Sequence, residues 1–477
     1  MASRLMAPLL ALLALLTLTG GGSVAVSGAA SGAARGSASP PLLGIRFRST
    51  DLLGTSVAAD VVSYQGGGDG VVSDPALVAT LLETDGCLGA LTRDGDCLAR
   101  RSRYWTRWDE AAGVLRVLQQ PLHKDPLPEA VAPGRRLRAG AGGRLEAPKG
   151  VTAEGAAAFA PTVYTVEVSS GAVTRNEVQM QAAGLPTEGS DGVRGADFNV
   201  AKGAWTVTWL RGGVGTIDAA TGAVALRSAG ALDEAALAAG YFLSTEMATL
   251  GADDTLWVLG RKVYCDDQQH DSPPFLPHND TEIGSYACEQ TLFSVDLSED
   301  GAPGIAHAII DWNSADMRDV ILPSGKQWPR LHYHAPSQSL VTAVADSRGI
   351  TIATVGVNAT AGDGGVLPKV AFQPLWTSYN TSVFPPTYRT VFFDNHQEYS
   401  SSGEQPPEPS VLTSDGSLVI KVVEGQQFLW EFDVGAALAR GCAGQRPNNC
   451  ASMVGEWLLG NRLHSKKGEV AWLAQGP

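Results

Sequence analysis

The chain has 477 residues, 44% hydrophobic composition and a formal net charge of -14. A balance this acidic excludes nucleic acid and an anionic membrane surface as partners, because both would be repelled. The apolar share supports a sizeable core, and 55 Gly with 27 Pro favour a chain of many turns over one of long helices.

Met1 to about Gly22 carries Arg4, an apolar run from Met6 to Leu18 and then small residues, with cleavage points after Ala25 or Ala29. This is the outline of a secretory signal peptide over residues 1–25. The run is short for a bilayer span, which needs about 20 apolar residues. Residues 26–41 are rich in Gly, Ala and Ser and are expected to be disordered. No later stretch reads as a membrane span, so the mature chain is expected to be secreted, with residues 42–477 as one all-β domain.

Gly44 to Phe47 and Ser56 to Tyr64 read as strands. Residues 121–161 are rich in Pro, Gly and Ala, carry Arg135, Arg136 and Arg138, and read as an inserted loop. The clearest local signal follows, from Gly215 to Leu226. Thr216 and Ile217 favour a strand. Asp218 can accept bonds from amides just ahead and start a turn. Gly222 can close it with a positive φ, and Val224 and Leu226 alternate along the returning strand. Ala229 to Leu243 is the most helix-like segment of the chain.

Weaker copies of the turn recur. Asp109 to Gly113 and Glu167 to Gly171 keep the acid-to-Gly offset of four, and Asn358 to Gly362 keeps it with Asn. Asp296 to Gly301 is one residue longer, and Phe432-Asp433 lacks the Gly. A second half-motif, a short turn feeding an apolar strand, stands at Lys202-Gly203, Asp253-Asp254 and Asp415-Gly416. Lys467-Gly468 begins a last one with nothing after it.

This pattern resembles the quinoprotein-like β-propellers with V-D-x-x-T-G repeats, over roughly residues 80–477. The resemblance implies four-stranded antiparallel blades, with a turn of this form joining the outer strands. Seven blades are expected, with six as the alternative. The unfinished terminal repeat would join the first strands in one blade and close the ring. The resemblance brings no cofactor signature with it.

Six cysteines form three close pairs: Cys87 with Cys97, Cys265 with Cys288, and Cys442 with Cys450. Sequence allows 15 pairings; proximity and export favour disulfides in these three. Asn279, Asn358 and Asn380 open N-x-S/T glycosylation patterns. Residues 266–287 read as a second inserted loop, with acidic residues of the kind calcium favours. His332 and His334 alternate onto one strand face, as a divalent-metal pair would need, with Asp394 as a third ligand. No other cofactor is identified, and no nucleophile motif or phosphate-binding loop is present. The function expected is a secreted module that binds a protein or glycan ligand. The alternative is an extracellular hydrolase or lyase acting on a small molecule or glycan at the central channel.

Overall fold

The structure is a computed structural model. It describes residues 42–50, 56–64, 75–84, 102–121, 160–185, 192–209, 212–250, 254–262, 290–298, 302–311, 330–346, 349–357, 369–377, 379–380, 387–388, 410–423, 427–442, 450–460 and 469–476. The expected signal peptide, the Gly/Ala/Ser-rich segment and most of both inserted loops lie outside these residues.

Among the described residues the chain is all-β apart from short helices, and its strands form antiparallel four-stranded meanders. Sheet I holds β1 (Leu42–Ser49), β2 (Val57–Tyr64) and β3 (Ala76–Thr84). Sheet II holds β4 (Ser102–Asp109), β5 (Val114–Pro121), β6 (Thr162–Glu167) and β7 (Ala172–Glu177). Sheet III holds β8 (Val193–Asn199), β9 (Ala204–Trp209), β10 (Val214–Asp218) and β11 (Val224–Ser228). Helix α1 (Ala231–Ala239) then leads to sheet IV: β12 (Tyr241–Leu250), β13 (Thr255–Lys262), β14 (Gln290–Asp296) and β15 (Gly304–Asp311). Sheet V holds β16 (Leu331–His334), β17 (Ser339–Asp346), β18 (Gly349–Gly356) and β19 (Lys369–Thr377). A small hairpin, β20 (Tyr379–Asn380) with β21 (Thr387–Tyr388), precedes sheet VI. That sheet holds β22 (Ser410–Leu412), β23 (Leu418–Val423), β24 (Gln427–Phe432) and β25 (Met453–Gly460), with helix α2 (Val434–Arg440) between its last two strands. The last strand, β26 (Glu469–Gln475), returns to pair with β1 and completes sheet I.

Two independent observations make this arrangement propeller-like. The first strands touch in a closed cycle: β26 with β4, β4 with β8, β8 with β12, β12 with β16, β16 with β22, and β22 with β26. The buried apolar residues also fall into clusters shared by neighbouring sheets. Ile45 packs with Leu115 between I and II, and Leu118 with Trp205 between II and III. Val214 packs with Phe293 between III and IV, and Leu292 with Leu340 between IV and V. Ile352 packs with Trp430 between V and VI, and Leu429 with Leu473 between VI and I. Each sheet therefore buries both faces, which is why its middle strands read as apolar runs rather than strict alternation. The sequence reading expects seven blades with six as the alternative; the described residues form six four-stranded meanders and a small hairpin, and a parallel pairing of β15 with β19 joins IV and V into one eight-stranded sheet.

The turns carry their own chemistry. Asp218 accepts from the Thr221 amide at 2.8 Å and the Thr221 hydroxyl at 2.6 Å, and Gly222 sits at φ +72°. A Cβ on Gly222 would lie 2.2 Å from the Glu177 carbonyl oxygen, so this turn rests against the end of sheet II. Gly171, also at φ +72°, leans in the same way on Val78 of sheet I. Both turns join third and fourth strands, as expected. The copy at Asp109–Gly113 is a correction: it joins the first two strands, β4 and β5. The reason is shared turn chemistry, since Asp109 accepts from the Ala112 amide at 3.2 Å much as Asn199 accepts from that of Lys202 at 3.1 Å. After Phe432-Asp433 the missing Gly is explained by α2, and Asp433 turns its carboxylate to the Ser452 amide instead, at 2.9 Å.

Candidate functional site

Polar side chains from four sheets gather along the cycle of first strands. On β16, Leu331 and Tyr333 face the core shared by sheets IV and V. Alternation sends His332 and His334 to the other side, toward sheet VI. His332 Nε2 lies 2.9 Å from Ser410 Oγ at the start of β22. Arg330, just before β16, donates from Nη1 to the Ser410 carbonyl at 3.1 Å. Its own carbonyl accepts from Thr342 Oγ1 at 3.1 Å. Ser410 is thus engaged at both its hydroxyl and its carbonyl by sheet V.

Two further charges arrive from other sheets. Arg107 of β4 acts electrostatically on both Arg330 and His332, and Asp197 of β8 acts on Arg330. Strands β4 and β16 stand on opposite sides of the cycle, so the influence of Arg107 acts across it. Asp197 is anchored by the Phe198 amide at 2.8 Å and the Leu250 amide of β12 at 2.9 Å. Arg107 is exposed and has no hydrogen-bond acceptor among the described residues.

Arg330 and His332 are part-exposed, with dense protein around them. Burial pushes the Arg330 guanidinium down to about 10; Asp197 opposes this and Arg107 adds to it. Burial, then Arg330, then Arg107 hold His332 well below the ordinary imidazole range. His332 is therefore neutral near pH 7.

His334 is more buried, and its Nδ1 lies 2.7 Å from Ser337 Oγ. Burial lowers its pKa as well. The two histidines share a face, as expected, but each is engaged by a different serine. Among the described residues no three His, Cys, Asp or Glu side chains converge as a metal site would require. Asp394 lies outside them.

The other expected sites divide in the same way. Cys442 and Cys450 are joined, which ties the end of α2 to the approach to β25. Cys87, Cys97, Cys265, Cys288, Asn279 and Asn358 lie outside the described residues. Asn380 lies on β20, opposite Thr387. Sequence reasoning missed Arg107, Asp197, Arg330 and Ser410. No motif marks them; their common signal is that each lies on, or beside, the first strand of its sheet.

No family model matches the chain, and no curated protein does. Among solved structures it is similar to an oligogalacturonate lyase in complex with manganese, at 10% identity over 57% of this chain and 55% of that one, with a TM-score of 0.27. The chain thus spans about half of the lyase's length. It is also similar to the β-propeller domain of Cps50 (Swd1) from Myceliophteria thermophila, at 10% identity over 88% of this chain and 86% of that one, TM-score 0.36. A third similarity is to a 6-phosphogluconolactonase assignment from Bacteroides uniformis, at 11% identity over 88% and 83%, TM-score 0.32. At these values the likenesses carry no weight for activity, and the fold rests on the sheets themselves.

Proposed function

We propose that the chain is a secreted, glycosylated propeller of six blades that serves as a binding module, with its receptive region on the cycle of first strands. A protein or glycan is the ligand in this reading. The observation that carries it is the charge around the contact between Ser410 and His332. A serine hydrolase needs its imidazole to take a proton from the serine, and a carboxylate normally stabilises the imidazolium that forms. Here the charges acting on His332 are two guanidiniums, Arg330 and Arg107, which oppose that protonation. The enzyme reading draws its support from the 2.9 Å contact alone.

The test is ester hydrolysis. Wild type and Ser410→Ala are compared for turnover of p-nitrophenyl acetate and butyrate. The binding reading expects the same background rate from both. A burst or steady turnover that disappears with Ser410→Ala would establish the enzyme reading in its place.

A further inference from the structure

The junctions between neighbouring sheets are not alike, and the one between VI and I differs most. Among the described residues its apolar core has seven buried members, whereas the other junctions have between 10 and 15.

Charge is concentrated there as well. The buried Asp, Glu, Lys and Arg among the described residues are Arg46, Asp60, Arg103, Asp109, Lys421 and Glu431. Four of these belong to the faces that meet at VI–I. On β1, Arg46 alternates with Leu42, and Asp60 lies opposite Arg46 on β2. On β23, Lys421 alternates with Val419, which lies opposite Glu431 on β24.

Asp60 accepts from Arg46 at 3.4 Å, from Arg48 at 2.7 Å and from Thr80 at 2.8 Å, all within sheet I. Parting sheets VI and I breaks none of these bonds. The Tyr64 hydroxyl and Arg46 Nε are buried with no hydrogen-bond partner among the described residues. Water that reached them would relieve the cost of leaving them unsatisfied. Buried ions also regain hydration when wetted, which offsets the attraction they lose. Apolar side chains gain nothing from water.

The other junctions are tied at depth. Thr106 Oγ1 donates to the Leu473 carbonyl at 3.1 Å between I and II, and the Val193 amide to Gln120 Oε1 at 2.7 Å between II and III. The Leu250 amide donates to Asp197 Oδ2 at 2.9 Å between III and IV, and the β15–β19 ladder joins IV to V. The Ala451 amide donates to the Leu375 carbonyl at 3.0 Å between V and VI, beside the clasp of Arg330 on Ser410. Across VI–I, Ser414 and Gln475 exchange bonds of 2.8 and 2.7 Å at the surface. The II–III junction also holds unpartnered indole N–H groups, of Trp105, Trp205 and Trp209, but those rings bring large apolar area with them.

We propose that the VI–I junction is the opening seam of the ring. Sheets VI and I part there while the other junctions stay closed, at a lower free energy than global unfolding. The opening separates β22 from β26, the first strands that touch at this point of the cycle. It gives the ring one defined place to widen, whatever the module binds.

The experiment is native-state thiol labelling of the full protein with dithiobis(nitrobenzoate), the wild type supplying the background rate. Val62→Cys and Val419→Cys place a buried thiol on either side of the seam. Val117→Cys, Val207→Cys and Val341→Cys do so in the I–II, II–III and V–VI cores. Each exchange is close to volume-conserving, and Val419→Cys reads the seam if Val62→Cys does not fold. Both seam thiols should react on the order of tenfold faster than the three controls, or more, with a rate that hardly changes in low denaturant. The controls should react no faster than the protein unfolds globally. One common rate for all five variants overturns the seam. Fast labelling of Val62→Cys beside slow labelling of Val419→Cys overturns it as well, because that is fraying of sheet I alone.

Discussion

Deleting residues 468–477 removes β26, and the cost can be worked from its contacts. The strand pairs with β1 from Leu42 opposite Gln475 to Phe47 opposite Glu469. Leu473 is 0% exposed and lies in the core between sheets VI and I, while Ala474, 3% exposed, lies in that between I and II. Losing a buried leucine side chain costs about 2–5 kcal/mol. The Leu473 carbonyl also accepts from Thr106 Oγ1 of β4 at 3.1 Å, and stranding that hydroxyl costs about 1 kcal/mol more. These two contributions compete with a total stability of typically about 5–15 kcal/mol. The backbone ladder to β1 is lost as well, and Leu43 and Ile45, now fully buried, would border an open edge. Guanidinium titration followed by tryptophan fluorescence reads the result. The truncated chain should be unfolded without denaturant or show a much lower midpoint. Leu473→Ala should lower the midpoint by less, with an unchanged slope. A truncated chain whose midpoint equals that of the wild type would refute closure of the ring by β26.

Three other outcomes are expected. His332 has a folded pKa depressed below its unfolded value of about 6.5, so the unfolded chain takes up the proton first, and stability falls as pH drops below about 6.5. His332→Gln should reduce the slope of unfolding free energy between about pH 6.5 and 5 by up to about 1.4 kcal/mol per pH unit, leaving the smaller shares of His334 and His307; parallel slopes would contradict a neutral His332. Gly113→Ala and Gly222→Ala both force a side chain into left-handed backbone, costing about 1–2 kcal/mol. Only Gly222→Ala also drives a Cβ into the Glu177 carbonyl, so its denaturation midpoint should fall clearly further, and equal shifts would show that the turn does not rest on sheet II. Asp60→Ala leaves Arg46 and Arg48 without their buried carboxylate and should cost about 3–5 kcal/mol by the same titration, whereas a loss under about 1 kcal/mol would mean the charges find water.

Local features were the legible ones. The strands β1 and β2 follow from alternation and β-branched residues, and α1 falls inside the helix-like stretch Ala229–Leu243. The Asp218–Gly222 turn is written in side chains that bond within three residues of themselves. Pairing of β26 with β1 was also readable, because a half-repeat at one end lacks a partner that the other end can supply. The unexpected helix α2 occupies the place of a lost turn glycine. It is held by Val434 and Ala437, which are buried between sheets V and VI, a tertiary cause with no local mark. The site was the least legible part. His332 was singled out for its neighbour His334, yet its structural partner is Ser410, far along the chain on another sheet. Arg107 and Asp197 join it only because the cycle brings first strands together, and spacing in sequence does not encode that.

The pairing of Ile45 with Trp472 sets an order of events in time. During synthesis β1, β2 and β3 emerge early, but the strand that covers β1 is made only after all the other sheets. Until then the apolar edge of β1 waits open, and sheet VI lacks the neighbour that buries Leu429. Closing a loop that spans almost the whole domain costs chain entropy and is slow compared with making hairpins. The final docking of β26 should therefore be the late step of folding. The interval before it is when this chain is most exposed to pairing with another copy of itself.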